Sequence, residues 1–451
     1  MPLEKNISNN IKGKKKKISK NKIFIILMVL GCMMGSFSHT AFSSIFELIM
    51  KEFSLSAGAA QLMTSIYSMT IGVTTILAVF LTKNINRKVL FLGAMCIFGS
   101  GVLFTAISFN YILILTGRAF QAVGSGLILT LSQVVLLSSF SKQKTGIVMG
   151  IYGFMLNLSS ALAPVITIML VRKISWQTIM WGILIISVLV IFLTWLDGYK
   201  HGKKHVCSLH KIKGLLKKFD IISFLFSSVS VIFLMLACMS IRDITVNNIN
   251  YWQKDMMADD FANAGEYAIL KTVIYAGIAI IFLFCFIRWQ KKLPKPYIRL
   301  ELFKNKRFFA VVVTSMFIYA IMMGTALWFP VYINRMTGAG MERVGYIMLP
   351  GAVIMAVASV LGGWLYQKYG IRLLYAISIC SFILAFLTRN IVPIWIMYSF
   401  RSIGVGAIMM PMTAWGMKEI KKEYYSDGTA IICSLRTIAG ALGTAIASIL
   451  V

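Results

Sequence analysis

Arg118 constrains this chain more than any other residue. It stands about two turns into Tyr111–Thr130, YILILTGRAFQAVGSGLILT, a stretch long enough as a helix to cross a bilayer. A hydrocarbon core about 30 Å thick needs roughly 20 apolar residues of helix. A guanidinium inside it costs at least ~2.5 kcal/mol unless it snorkels, pairs or faces water. Two readings follow: an arginine reaching the headgroups, or a span facing an aqueous cavity with Arg118 on a transport pathway. The rest of the chain favours the second. Arg401 lies mid-span in a later run, and Asn157 and Arg436 are further intramembrane polar groups. Together, Arg118 and Arg401 would make a cavity positive. That suits an anionic or zwitterionic substrate better than a lipophilic cation.

Groups able to carry a proton through the spans are scarce. Of the fifteen acids, Glu47 alone lies inside an apolar run, toward its outer end. His39, whose imidazole type titrates near pH ~6.5, precedes it by eight residues, two helical turns and roughly one face. Moving a proton inward yields ~2.3 kcal/mol per 100 mV, and harvesting it needs a group that titrates between two exposures. The plain alternatives are a packed histidine bonded to a hydroxyl and a glutamate reaching the outer interface.

The elements that must position these residues are read from composition. The 451 residues are 58% hydrophobic and 13% charged, against about 45–50% and ~25% for soluble domains. The chain is an integral membrane protein. Its net charge of +30 sits in short segments between apolar runs. That pattern marks cytoplasmic loops against anionic lipid rather than a nucleic-acid surface. The seven cysteines are scattered, without a C-x-x-C, so neither a disulfide framework nor a metal site is expected. No phosphate loop, zinc signature or nucleophile motif supports an enzyme, and no cofactor is expected.

Thirteen hydrophobic runs fall at about 23–50, 57–82, 88–108, 111–137, 145–171, 176–196, 220–241, 267–288, 307–333, 344–366, 371–388, 391–416 and 428–451. Lysine and arginine collect in alternate loops, which places the N-terminus inside. RAFQAVGSG (118–126) is echoed by RSIGVG (401–406), and KNINRKVLFLG (83–93) by QKYGIRLLYAIS (367–378). Both offsets are close to 285 residues, the mark of two pseudo-repeated bundles with a substrate site between them. The expected architecture is all-α: a basic tail (1–22), a six-helix bundle (23–197), and a basic cytoplasmic loop (198–219). Two inserted spans with an acidic outer loop (220–288), a cytoplasmic linker (289–306) and a five-span bundle (307–451) complete it. The chain stops at IASILV in mid-run, which suggests a missing sixth span and a truncated chain or mis-called gene end.

These residues resemble the fourteen-span drug:proton antiporter family of the major facilitator superfamily. The family's R-x-x-Q-G-x-G-x-G reads here Arg118, Gln121, Ala122, Gly124, Gly126. Its glycine–proline antiporter motif and later tryptophan are met by Pro164 and Trp176, with Ala163, Thr167 and Ile168 in place of glycines. Leu349-Pro350-Gly351 and Gly362-Gly363 match its tenth span. The resemblance implies a major facilitator fold with Gly124, Gly126, Pro164, Pro350, Gly351, Gly362 and Gly363 as the conformational motif. It also implies proton-driven efflux of a small organic molecule or drug, with Arg118, Gln121, Asn157 and Arg401 on the pathway and Glu47 or His39 coupling the proton. Two departures stand out. The first-span D-x-T becomes Ser38-His39-Thr40, and the two D-R-x-G-R-type gating loops lose their acids. The alternatives are an uncoupled facilitator or anion exporter, and a degenerate, non-transporting paralogue. The expected setting is the plasma membrane, as a monomer contacting anionic lipid and no nucleic acid.

Overall fold

The structure, a computed structural model, describes residues 2–55, 57–171, 173–199, 219–251, 258–293, 296–337, 341–387 and 393–449. The basic loop 200–218 and part of the acidic loop at 252–257 fall outside the described residues. So do the side chains of Glu47, Ile168 and the basic tail up to residue 21.

Every regular element among the described residues is helical, and twelve helices are long and apolar enough to cross a membrane. A bilayer admits this because a helix satisfies its backbone groups internally. The first seven helices are α1 (Pro2–Ser44), α2 (Phe46–Glu52), α3 (Ala57–Asn84), α4 (Arg87–Ala106), α5 (Tyr111–Ser139), α6 (Thr145–Val171) and α7 (Trp176–Tyr199). Then follow α8 (Ile221–Tyr251), α9 (Ala258–Lys292), α10 (Lys306–Thr337), α11 (Met341–Tyr369), α12 (Ile371–Leu387), α13 (Ile394–Met417) and α14 (Tyr425–Ile449). The eleventh hydrophobic run is α12, an apolar helix of seventeen residues, shorter than the other spans. The twelve long helices are fewer than the fourteen spans the resemblance implies.

One expectation is corrected. The run 23–50 is not a single helix: it breaks at Ile45 between α1 and α2. Just before the break, the Thr40, Ser43 and Ser44 hydroxyls donate to the carbonyls of Ser36, His39 and Thr40, at 3.0–3.1 Å. Such back-bonding competes with the helical ladder and bends it. His39 and Glu47 therefore sit on separate helices, and their spacing no longer places them on one face.

The helices pack as two groups. In the first, α5 packs on α4 and α3, α1 on α6, and α4 on α7; in the second, α10 packs on α14 and α11 on α13. Helices α8 and α9 form a pair, of which α8 lies against both α3 and α14. The groups meet along α6 with α11 and α13, and along α14 with α3 and α5. The closest approach is between α6 and α11, where a Cβ on Gly363 would sit 2.6 Å from the Gly146 carbonyl. Only a glycine admits backbones that near. Gly362, on the neighbouring face, meets the Ala407 carbonyl of α13 in the same way.

The contacts across this seam run from the end carrying the lysine-rich loops to the middle of the helices. The Gln367 side-chain amide donates to the Gln143 carbonyl, Asn157 Nδ2 to Ser359 Oγ at 2.9 Å, and Thr75 and Ser434 share a bond of 2.7 Å. Lys83 Nζ reaches Asp427 Oδ1 at 2.8 Å. Tyr297, in the linker before α10, donates its hydroxyl to the Ile76 carbonyl at 3.1 Å. Burial raises the Tyr297 hydroxyl pKa, and Asp220 adds to the effect.

Candidate functional site

Asn110 opens α5 as an N-cap, its side chain accepting from the Leu113 amide at 2.8 Å. The helix then carries Arg118 two turns into the first group. Arg118 is fully buried (0% exposed), so the headgroup-reaching reading does not describe its position. Its guanidinium lies between the rings of Phe42 on α1 and Tyr67 on α3, 4.4 and 4.2 Å from their centroids. Two aromatic faces are a site a planar cation can occupy at lower cost than an open hydrocarbon.

Gln121 organises the polar side of this site. Its Oε1 accepts from Arg118 Nη1 at 2.9 Å and from Ser38 Oγ at 3.1 Å. Its Nε2 donates to Thr105 Oγ1 at 2.9 Å and to the Gly101 carbonyl at 3.2 Å. Tyr67 donates its hydroxyl to Ser125 Oγ at 2.9 Å, within reach of the Gly35 carbonyl, and the His39 ring lies 4.7 Å from the Tyr67 ring. The structure thus brings His39, Arg118 and Gln121 together. Ser38 sits where the resembling family carries an aspartate, and it points at the same amide oxygen as Arg118. A carboxylate there would face the guanidinium. Arg118 Nε and Nη2 are buried without a hydrogen-bond partner among the described residues.

The second group repeats the theme. Arg401 is two turns into α13 and buried, with its guanidinium 5.0 Å from the Tyr398 ring and Nη2 donating to the Met322 carbonyl at 3.1 Å. Its Nε and Nη1 are buried without partners among the described residues. Gly351 lies against the Tyr398 ring. Gly124 admits Phe98 and the Ala94 carbonyl of α4, and Gly126 faces Thr74 of α3. Pro164 and Pro350 lie inside α6 and α11, each removing a helical hydrogen bond. Asn157 belongs to the seam with Ser359 rather than to the Arg118 cluster.

Sequence reasoning missed a third cluster, which joins the two groups. Gln133 on α5 accepts from Cys433 Sγ of α14 at 3.6 Å and lies within hydrogen-bonding reach of Tyr152 on α6. One turn beyond Cys433, Arg436 donates from Nη2 to Thr413 Oγ1 of α13 at 3.0 Å. Tyr319 of α10 is close enough to interact electrostatically with Arg436. Gln133, Tyr152 and Thr413 carry no charge and lie in apolar runs, so only Arg436 was conspicuous. At the end of the first group away from the lysine-rich loops, Glu52 accepts from Trp176 Nε1 at 2.6 Å, which gives the tryptophan after the proline motif a partner.

The pattern along the whole chain matches one family model, described as Major Facilitator Superfamily, over residues 27–444. The chain belongs to the Major Facilitator Superfamily. Its relatives include the MFS-type transporter YcnB of Bacillus subtilis, 25% identical over 436 residues that span 94% of this chain and 85% of the relative. The lincomycin resistance protein LmrB of Listeria innocua is 27% identical over 423 residues, covering 92% and 83% of the two chains. Among solved structures, the proton:xylose symporter XylE superposes with a TM-score of 0.60 at 14% identity, over 94% of this chain and 88% of that one. That likeness shows the fold. A protein of this superfamily is a multi-pass membrane transporter, not an enzyme.

Proposed function

We propose that this chain is a secondary active transporter of the drug:proton antiporter branch, exporting a small organic molecule across the plasma membrane. The observation that carries the reading is the seam. Two groups of helices meet along α6 with α11 and α13 and along α14 with α3 and α5, near buried arginines whose hydrogen-bonding positions are not all filled among the described residues. Rocking of the two groups about that seam would expose the buried site alternately to each side. The drug-resistance relative LmrB supports efflux. The buried arginines, which pair with no acid among the described residues, favour a second reading, an anion exporter without proton coupling.

Proteoliposomes separate the two. If Glu47 carries the proton and His39 relays it or orients substrate, Glu47→Gln uncouples efflux from an imposed pH gradient. Exchange of substrate down its own gradient survives. Persistence of pH-driven efflux in both Glu47→Gln and His39→Asn removes these two residues as proton carriers, and a wild type that exchanges substrate without responding to a pH gradient leaves the facilitator. A wild-type chain that moves nothing under any gradient leaves the non-transporting paralogue.

Orientation follows from the loop charges, with the N-terminus inside. In a cysteine-free background, a cysteine at position 208 should be labelled only from the cytoplasm and one at 256 only from outside. Labelling of both from one side would mean that the span count around 220–241 is wrong.

A further inference from the structure

We infer that Arg436 anchors the carboxylate of an organic anion at the seam between the two helix groups. The inference rests on the transporter reading for access to the site, and it names the substrate class that the site takes.

Arg436 is buried at 5% exposure, well inside α14. Its Nη2 has a neutral hydroxyl, Thr413, as partner, and its Nε is buried with none. The acid on the same helix, Asp427, lies nine residues earlier, about 13 Å along the axis, and is engaged by Lys83. Among the described residues no ion pair includes Arg436. A buried cation left in this state is costly, and an incoming carboxylate with matching fork geometry removes that cost.

The surroundings complete a carboxylate site rather than a structural pair. Thr413 is a neutral hydroxyl in contact with the guanidinium, and the Tyr319 phenol lies within its electrostatic range. Tyr319 is half-buried, and a Cβ on Gly440, one turn beyond Arg436, would lie 2.7 Å from its ring. The ring offers an aromatic wall for the body of a ligand. On the facing group, Gln133 supplies an amide and Tyr152 a further phenol, linked to Arg436 through Cys433 on the same helix face. Thr413 of α13 and Tyr319 of α10 thus surround the guanidinium, and Gln133 of α5 and Tyr152 of α6 meet the same face of α14 one turn away, at Cys433. A ligand long enough to reach from Arg436 past Cys433 would meet Gln133 of the other group, so its hold would depend on the two groups being together.

The test uses two dyes on the same xanthene frame with opposite charge, carboxyfluorescein and tetramethylrhodamine ethyl ester. Their binding to the purified full chain in lipid nanodiscs is read by fluorescence anisotropy, with benzoate as a competitor. Wild type is expected to prefer the anion, with benzoate displacing it. Arg436→Gln should weaken the anion by about tenfold or more and leave the cation unchanged. Arg436→Lys should retain anion preference at reduced affinity, because the charge stays and the fork is lost. Equal or stronger binding of the cation by wild type, or undiminished anion binding by Arg436→Gln, overturns the assignment. If Arg436→Gln does not elute as a single species, the wild-type preference and Arg436→Lys decide. An anion that binds at Arg436 but is not moved by proteoliposomes defeats the transporter reading and leaves the site standing.

Discussion

Asp427→Asn is expected to open the lysine-rich end of the protein. Asp427 lies in the first turn of α14 with its side chain fully buried, and its Oδ1 accepts from Lys83 Nζ at 2.8 Å and from the Arg299 amide at 3.3 Å. Lys83 sits in the last turn of α3, in the other helix group. It begins the loop that resembles the family's acid-led gating motif. The polarity is reversed here, with the base on the loop and the acid on the facing helix. A hydrogen bond to a charged group contributes about 1.5–3 kcal/mol. Lys83 keeps 31% of its side chain exposed, so the lower end applies. Asp427→Asn should then shift the balance toward an opened seam by roughly tenfold. Ser434→Cys in a cysteine-free background reports it, because Ser434 is buried against Thr75 while the seam is closed. Its labelling by a membrane-impermeant maleimide should accelerate in Asp427→Asn and in Lys83→Ala. The swap Lys83→Asp with Asp427→Lys should restore protection in part, because a lysine at the N-terminus of α14 opposes the helix dipole. Unchanged labelling in both single variants would show that the pair does not hold the seam.

Arg118→Ala is expected to reduce transport to background while protein amount and membrane insertion stay near wild type. The substitution removes a guanidinium held between two rings and one of the two donors to Gln121 Oε1, while Ser38 still supplies the other. The lost ring contacts, up to ~2 kcal/mol each when desolvated, are offset by removal of a buried charge. The fold should therefore survive. Arg118→Lys should rescue poorly, since an ammonium cannot lie flat between Phe42 and Tyr67 and still reach the amide. Substrate flux in proteoliposomes, measured beside thermal stability, distinguishes a transport role from a packing one. Full flux in Arg118→Ala would make the residue part of the helix packing alone.

Much of this molecule was written in the sequence because a bilayer punishes polarity. The apolar runs had to be helices, and most of their ends lie within a few residues of the observed ones, although 23–50 breaks at Ile45 and α8 and α9 run on beyond 220–241 and 267–288. Arg118 and Arg401 stood out because a charge in such a run demands an explanation, and both prove buried with unfilled donors. Gly362 and Gly363 were legible as sites of close helix contact for the same kind of reason, since little else gains from a glycine mid-span. Tertiary structure alone decided the partners. Ser38 and Gln121 are 83 positions apart, Lys83 and Asp427 344, and Cys433 and Gln133 300. In helices that are apolar nearly all round, hydropathy does not mark which face meets which neighbour. The azimuth is set by packing, by which glycine admits which backbone. The break at Ile45 was hidden too, because serine and threonine bend a helix only where their hydroxyls turn back on its own carbonyls. That choice depends on whether a better partner lies across the helix interface, as it does for Ser38 and not for Ser43.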